Sequence, residues 1–563
     1  MKIKKIFTIL LIVISVFILN SCGKDDDIEY KYEKISFQNL TPSYYKMNAT
    51  YLNTYYVDNS EIKYVDVTNF FNTVDGLYQT SYFKKSVSRS KKKYSIYAYA
   101  NTGDNISYVG ATFDWDNDTI TISNPMFFNV VYSPSAVDYL DHLSETNTKI
   151  DNVTPFVASL KDYNYNIYYK NGLCLVPLSI MNTLFLSPTY YNIYYNGEKY
   201  LGTFYDISSF DSESQLILKT NKLNSESQSE QLREETYNQL RFILDNFYGL
   251  KEYKNITDIE EILKDYKNDI LSTDIEKNRN AYYKLFINYL DDLHTRIGAY
   301  SFYNSPDLLP GNWDLDKTSD ARKEYKRVQD ILSPNSEAFY ESTEPTYKGY
   351  GDTLMLYMPS FVTASSDQLN SEDSYLKDSY QFMKWALEKN ANSNYKNIVL
   401  DLSTNGGGNV AALLKVLGFM TNEDIVYANY DSLFKSKTTS NIKIDANDDD
   451  SFIDADAYDK YNWYILSSYN TFSAANSCVA MAKSFGVNII GQKSGGGMCS
   501  VLPLVLADST TIEISSNNLQ VVLFDNKYEF IEGGIEPDLY IDYDKFYNIQ
   551  YLDKTLNDYA KGR

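Results

Sequence analysis

The sequence predicts an α/β C-terminal domain with a mainly parallel sheet and helices, preceded by a small helical subdomain and an α+β, β-rich N-terminal region. Three observations predict it. From Thr353 to Gly491, short apolar runs alternate with helical patterns, the order that parallel strands joined by crossover helices require. From Glu230 to Leu293, apolar residues recur at helical spacing. From 30 to 210, short aromatic and β-branched runs flank turn pairs, as in hairpins.

Taken in order, the turn pairs of the region 30–210 are Asp58-Asn59, Asp116-Asn117, Asn171-Gly172 and Asn196-Gly197. Helical patterns at Val67 to Leu77 and Pro177 to Leu184 lie between them, so hairpin and helix form a loose internal repeat. That order resembles the small α+β domains at the N-terminus of copper amine oxidases and many bacterial surface proteins. No copper is implied, because His142 has no acidic or Cys partner at ligand spacing and reads as structural. A polar, Ser-rich stretch at 208–230 marks a boundary, and 211–300 is expected to be the helical subdomain, carrying Glu230 to Phe247, Ile256 to Tyr266 and Ile275 to Leu293. The span 301–345 is polar and charged and reads as a connecting segment, too short for a complete PDZ-type module. The α/β core is expected over 346–545, with strands at Thr353 to Tyr357, Asn397 to Leu402, Trp463 to Leu466 and Val487 to Gly491, helices between them, and further strands within Thr510 to Tyr540. Residues 546–563 form a C-terminal tail.

Composition limits the function classes. With 563 residues, division by about 150 suggests three or four domains. A hydrophobic content of 44% supports sizeable cores and excludes a disordered chain. The formal charge of −22 argues against nucleic-acid partners and polybasic membrane docking. The 55 Tyr residues and abundant Asn fit a base-composition bias and point to no activity.

Residues 1–22 read as a targeting segment: Lys2, Lys4 and Lys5 form a positive start, and Ile6 to Leu19 an apolar run short for a bilayer span. The closing Leu19-Asn20-Ser21-Cys22 resembles a bacterial lipoprotein signal, in which Cys22 becomes the lipid-modified N-terminus. Residues 23–29 then form a polar tether, and the protein is expected to be extracytoplasmic and lipid-anchored at the cell membrane. Cys174, Cys478 and Cys499 have no metal-ligand spacing and read as buried free thiols, although Cys478 and Cys499 could approach one another. Neither metal nor cofactor is expected.

The chemistry centres on Asn470-Thr471-Phe472-Ser473-Ala474-Ala475. A buried strand precedes it and an Ala-rich helix, Ala474 to Ser484, follows, so Ser473 sits where free helix-start N–H groups can bind a developing anion. The alternative is that Ser473 is an ordinary helix cap. Three further pieces stand in line with it: Asp292-Leu293-His294-Thr295, Asp401-Leu402-Ser403-Thr404-Asn405-Gly406-Gly407-Gly408, and Ile531-Glu532-Gly533-Gly534-Ile535-Glu536-Pro537-Asp538. Together, over about 230–545, they resemble the tail-specific (C-terminal processing) serine peptidases of family S41, and especially their tricorn-like Ser-His-Glu branch.

That resemblance implies Ser473 as nucleophile, His294 as general base and Glu532 as the group that orients the imidazole, with peptide bonds of a protein or peptide substrate hydrolysed through an acyl-enzyme. It also implies an oxyanion site between the N–H groups of Ala474 and of Gly407 or Gly406. The family's other style pairs Ser with a Lys in a downstream Gly-rich turn; here Gly497 takes that position and Lys493 stands nearby. Departures are Ser403 where Arg is common, Asn476 and Ser477 where a Glu is usual, and the lack of a PDZ module. Two other readings stay open: a non-catalytic surface-binding lipoprotein on the same fold, and a Ser–Lys dyad using Lys493.

Overall fold

The computed structural model describes residues 28–102, 105–133, 140–205, 221–303, 319–452 and 456–561. The targeting segment, Cys22 and most of the tether lie outside the described residues, as do Ser208 to Ser214 of the expected boundary and 304–318 of the connecting segment.

The C-terminal core is a six-stranded sheet in the order Thr346–Tyr350, Thr353–Tyr357, Asn397–Asp401, Asn462–Ser467, Asn488–Gly491, Leu539–Tyr540. Every neighbouring pair after the first is parallel. Its strands read as continuous apolar runs because both faces are covered. Leu354, Leu356, Ile398, Leu400, Ile465 and Ile489 pack into the main core, with the helices Ser379–Lys389, Val410–Gly418 and Ala474–Ser484. The alternate residues Met355, Tyr357, Val399, Tyr464, Leu466 and Ile490 pack against Val328 and Leu332 of the helix Asp320–Tyr340 and Leu552 and Leu556 of the helix Ile549–Lys561.

A second, seven-stranded sheet stands beside it. Its main path runs Arg296–Ala299, Thr511–Phe524, Ile425–Asp431, Ser436–Ile444, Leu143–Asp151, with Cys499–Val505 and Lys527–Phe530 also on Thr511–Phe524. Leu143–Asp151 belongs to the N-terminal region yet pairs antiparallel with Ser436–Ile444, so the region 30–210 contributes a strand to the C-terminal half.

The rest of that region forms two antiparallel-rich sheets of seven and five strands. The repeat is visible in the first: the hairpin at Asp58-Asn59 leads into the helix Val67–Thr73, the hairpin at Asn171-Gly172 into Leu178–Met181, and the two units meet where Leu173–Pro177 pairs antiparallel with Tyr64–Asp66. Asn171 (φ 55°) and Gly172 (φ 84°) take the left-handed conformations a two-residue turn demands, and Asp58 (φ 49°) and Asn59 (φ 60°) take them within the longer connection from Val57 to Tyr64.

The helical stretch opens with Glu230–Phe247, capped by Ser229 on the Leu232 N–H and burying Leu232, Tyr237, Leu240, Leu244 and Phe247. The connecting segment holds a 21-residue helix, Asp320–Tyr340. It packs Val328, Ile331, Leu332, Phe339 and Tyr340 against the sheet, between charged residues and with Pro334 inside. These positions recur at helical spacing, but the charged residues and the proline among them let the segment read as polar. Among the described residues, no helix is long and apolar enough to cross a membrane.

Candidate active site

Ser473 follows the strand Asn462–Ser467 at the start of the helix Ala474–Ser484. Its backbone is at φ 56°, ψ −124°, and its side chain makes no capping hydrogen bond. A non-glycine residue in that region is strained by about 1–3 kcal/mol and must be held there by its surroundings. The Ser473 N–H donates to Gly496 O at 2.8 Å and its carbonyl accepts the Ser477 N–H at 2.9 Å. The turn is lashed to the glycine loop: Thr471 Oγ1 donates to Leu402 O at 2.7 Å, Ser468 Oγ donates to Ser403 O, and the Phe472 N–H donates to Asn405 O at 3.1 Å.

Two glycines lie against this turn. A Cβ on Gly407 (φ 115°) would stand 2.8 Å from Ser473 Cβ and 3.1 Å from Ala474 N, and one on Gly497 (φ 90°) would stand 2.6 Å from the Phe472 ring and 2.9 Å from Ser473 N. Glycine alone fits either place. The Gly407 N–H donates to Asn405 Oδ1 at 2.8 Å, and the Gly407 carbonyl accepts from the Phe361 N–H and Ser360 Oγ. The N–H groups of Ala474 and Gly406 make no hydrogen bond among the described residues.

His294 lies between the helical stretch and the strand Arg296–Ala299, buried, with its ring 4.7 Å from that of Phe472. Burial pulls its pKa down to about 4, against the opposing charge of Asp292. Asp292 organises the loop. Its Oδ1 accepts the His294 and Thr295 N–H groups at 3.1 and 2.9 Å and Ser515 Oγ at 2.7 Å, and its Oδ2 accepts Tyr248 OH at 2.8 Å. Arg322, from the helix Asp320–Tyr340, donates to Asp292 O and Thr295 O at 2.8 and 2.7 Å.

Glu532 accepts the Met498 N–H at 2.8 Å on Oε2. Burial first, then the Asp292 charge, push its pKa up to about 7. Its turn is held by Asn476, which donates to Ile531 O at 3.0 Å and accepts Ser494 Oγ at 2.6 Å; Ser494 Oγ in turn accepts the Ile535 N–H. Asn476, at the place of the family's usual Glu, is thus a fully buried structural pin.

The structure therefore gathers Ser473, Ala474 and Gly407 in contact and His294 one ring away on Phe472, while Glu532 sits on the turn behind. Among the described residues no hydrogen bond joins Ser473 Oγ, the His294 imidazole and the Glu532 carboxylate. Lys493 is exposed and pairs with Glu536 Oε1 at 2.9 Å. Cys174, Cys478 and Cys499 are buried free thiols, pushed up by burial. Sequence reasoning gave no role to Asp292, Phe472, Asn405, Asn476 or Arg322. The first three lie inside the quoted motifs, but the contacts that tie them to distant segments do not show in one dimension: Asp292 to Tyr248 and Ser515, Asn405 to Met358 O, and Phe472 to His294.

Two groups of side chains elsewhere could approach a metal ion: His142, Asp445 and Asp448, and Asp445, Asp449 and Asp456, each with ligand atoms within 4.8 Å of one another. The Asp445 carboxylate already accepts the N–H groups of Asp448, Asp449 and Asp450, and the His142 ring stacks on Tyr380 at 4.2 Å, so both have structural partners.

The site is thus a strained serine at a strand-to-helix turn of a parallel α/β domain, packed against a glycine loop. Residues 353–541 match the model of peptidase family S41. That span contains the glycine loop, Ser473 and Glu532; His294 lies before it. A comparison with curated proteins finds no match. Among solved structures the chain is similar to a lipoprotein from Streptococcus agalactiae (18% identity, 58% of this chain and 96% of that one, TM-score 0.37). It is also similar to the tricorn protease (11% identity, 84% and 60%, TM-score 0.33) and to the photosystem II D1 C-terminal processing protease (16% identity, 36% and 49%, TM-score 0.27).

Proposed function

We propose that the protein is a serine-type peptidase of the tricorn-like S41 style, hydrolysing peptide bonds of protein or peptide substrates through an acyl-enzyme. One observation carries this: Ser473 is held at φ 56° with Gly407 fitted against its Cβ, a strained arrangement that a mere helix cap does not need. In this reading Ser473 attacks the carbonyl carbon and passes its proton to His294, which later returns it to the leaving amine. Burial supports a neutral imidazole at neutral pH, the form a base needs. The Ala474 N–H, with Gly406 or Gly407 N–H once released from Asn405, would receive the oxyanion. Glu532, with Asp292, would stabilise the imidazolium, which requires substrate to tighten the Ser473–His294–Glu532 spacing. Lys493, engaged with Glu536, supports no dyad.

The missing hydrogen bonds between the three groups favour the second reading, a non-catalytic binding protein on the same fold. Fluorophosphonate labelling of wild type beside Ser473→Ala, His294→Ala and Lys493→Ala separates the two. Labelling lost in the first two variants and kept in the third is expected; a folded wild type that does not label would leave the binding protein. We further propose lipid attachment at Cys22 and an extracytoplasmic, membrane-anchored location. Incorporation of an alkyne-tagged fatty acid, lost in Cys22→Ser, checks it.

A further inference from the structure

A cavity of about 330 Å³ lies where the N-terminal region meets the second sheet, and no residue assigned above to the peptidase site lines it. Its size is that of a small-molecule site. One side is apolar and largely aromatic, with Phe128, Phe156, Phe247, Phe434 and Leu502 among the lining residues. Phe156 makes edge contacts with Phe247 and Phe434, at 6.4 and 6.3 Å between ring centroids, which fixes that wall. The other side is the polar edge of the sheet, and there Asp431 is, among the described residues, the only lining residue with a formal charge at neutral pH.

Asp431 is used on one oxygen only. Oδ1 accepts the Leu433 and Phe434 N–H groups at 2.9 and 3.4 Å and Asn517 Nδ2 at 3.0 Å. Among the described residues, Oδ2 has no hydrogen-bond partner and no Lys, Arg or His lines the cavity to neutralise it. Burial pushes the carboxyl up, as expected for an acid without its countercharge. A half-satisfied carboxylate beside aromatic faces suits one ligand chemistry: a cation that donates to the oxygen, or lies against the rings, with an apolar remainder. An anion would meet the Asp431 charge, and a purely apolar ligand would leave Oδ2 dry.

We propose that this cavity binds an organic ammonium compound, its charged end at Asp431 Oδ2 and its apolar body among Phe128, Phe156, Phe434 and Leu502. The site is separate from the peptidase reaction and does not depend on it.

Calorimetry on the purified chain with three probes of one shape tests this: phenylbutylamine, phenylbutanol and phenylbutyrate. The amine should bind at least about tenfold more tightly than the alcohol, and the carboxylate most weakly. Asp431→Asn keeps the Oδ1 acceptor and should remove the preference, weakening the amine about tenfold while leaving the alcohol within about twofold. Leu502→Trp fills the cavity and should abolish binding of amine and alcohol alike. Equal binding of the three probes by wild type, no binding of the amine, or an amine preference that survives Asp431→Asn would each overturn the proposal. Should Asp431→Asn not fold, the wild-type probe order with Leu502→Trp decides it.

Discussion

Gly407 leaves Ser473 no slack. A methyl on Gly407 would stand 2.8 Å from Ser473 Cβ, on a backbone held at φ 115° that an L residue rarely adopts. Gly407→Ala should therefore displace the nucleophile and slow fluorophosphonate labelling by about 10²-fold, the scale seen when a reacting atom moves by an ångström, with a Tm loss of only a few degrees. Equal labelling rates would show that the contact does not set the nucleophile. The charges give a second prediction. Burial lowers His294 from 6.5 to about 4, so between those values the unfolded chain takes up a proton that the folded one refuses. His294 thus adds stability that is full above 6.5 and is lost as pH falls toward about 4. Glu532 is raised from 4.5 to about 7, so its contribution is full below 4.5 and lost as pH rises through about 7. The two slopes oppose each other in wild type. Relative to wild type, His294→Ala should gain stability as pH falls from about 7 to about 5, and Glu532→Gln should lose it, each by up to about 1.4 kcal/mol per pH unit. Denaturant unfolding at both pH values checks the signs. These residues were legible because short motifs carry them: Ser473 between an apolar run and an Ala-rich helix, and His294 in Asp-x-His-Thr. The strained φ of Ser473 was not, since a serine before a helix reads equally as a cap.

The element that most altered the picture is the helix Asp320–Tyr340. The strands of the parallel sheet announce themselves as apolar runs because both faces are buried, whereas this helix buries one apolar face among many charged residues and carries a proline. Its service to the site is also invisible in one dimension: Arg322 reaches back to Asp292 O and Thr295 O on either side of His294. Both bonds are charge-assisted and buried, and loss of the guanidinium orphans two carbonyls. Arg322→Met should cost about 2–4 kcal/mol in denaturant unfolding. Well below its Tm, it should also slow Ser473 labelling by about tenfold or more, because the His294 loop loses its anchor. Arg322→Lys, which restores a donor, should recover part of the labelling rate. A stability loss with an unchanged labelling rate would confine Arg322 to the fold.

At the scale of the molecule, the order of strands and helices along the chain was legible, but its partnering was not. The strand Leu143–Asp151 is polar and exposed along most of its length, so nothing in its pattern names a partner. Its partner, Ser436–Ile444, lies almost three hundred residues downstream and extends the second sheet. Two more contacts bind the halves there. Lys415, on the helix Val410–Gly418 with a side chain only 2% exposed, pairs with Asp141, and the His142 ring stacks on Tyr380. A fragment that starts at 221 would lose all three at once. Ser436–Ile444 would become an open edge, Lys415 would be left as a buried ammonium without its acid, at about 3–5 kcal/mol for such an orphan, and Tyr380 would lose its cover. That sum is comparable to the whole stability of a domain, about 5–15 kcal/mol. The fragment should therefore aggregate or remain unfolded although it holds every residue assigned to the peptidase site. Adding the described segment 140–205 in trans should not restore it efficiently, because Leu143–Asp151 reaches its place only with the sheets around it. A soluble, cooperatively unfolding fragment with wild-type labelling would show instead that the N-terminal region is an appended module.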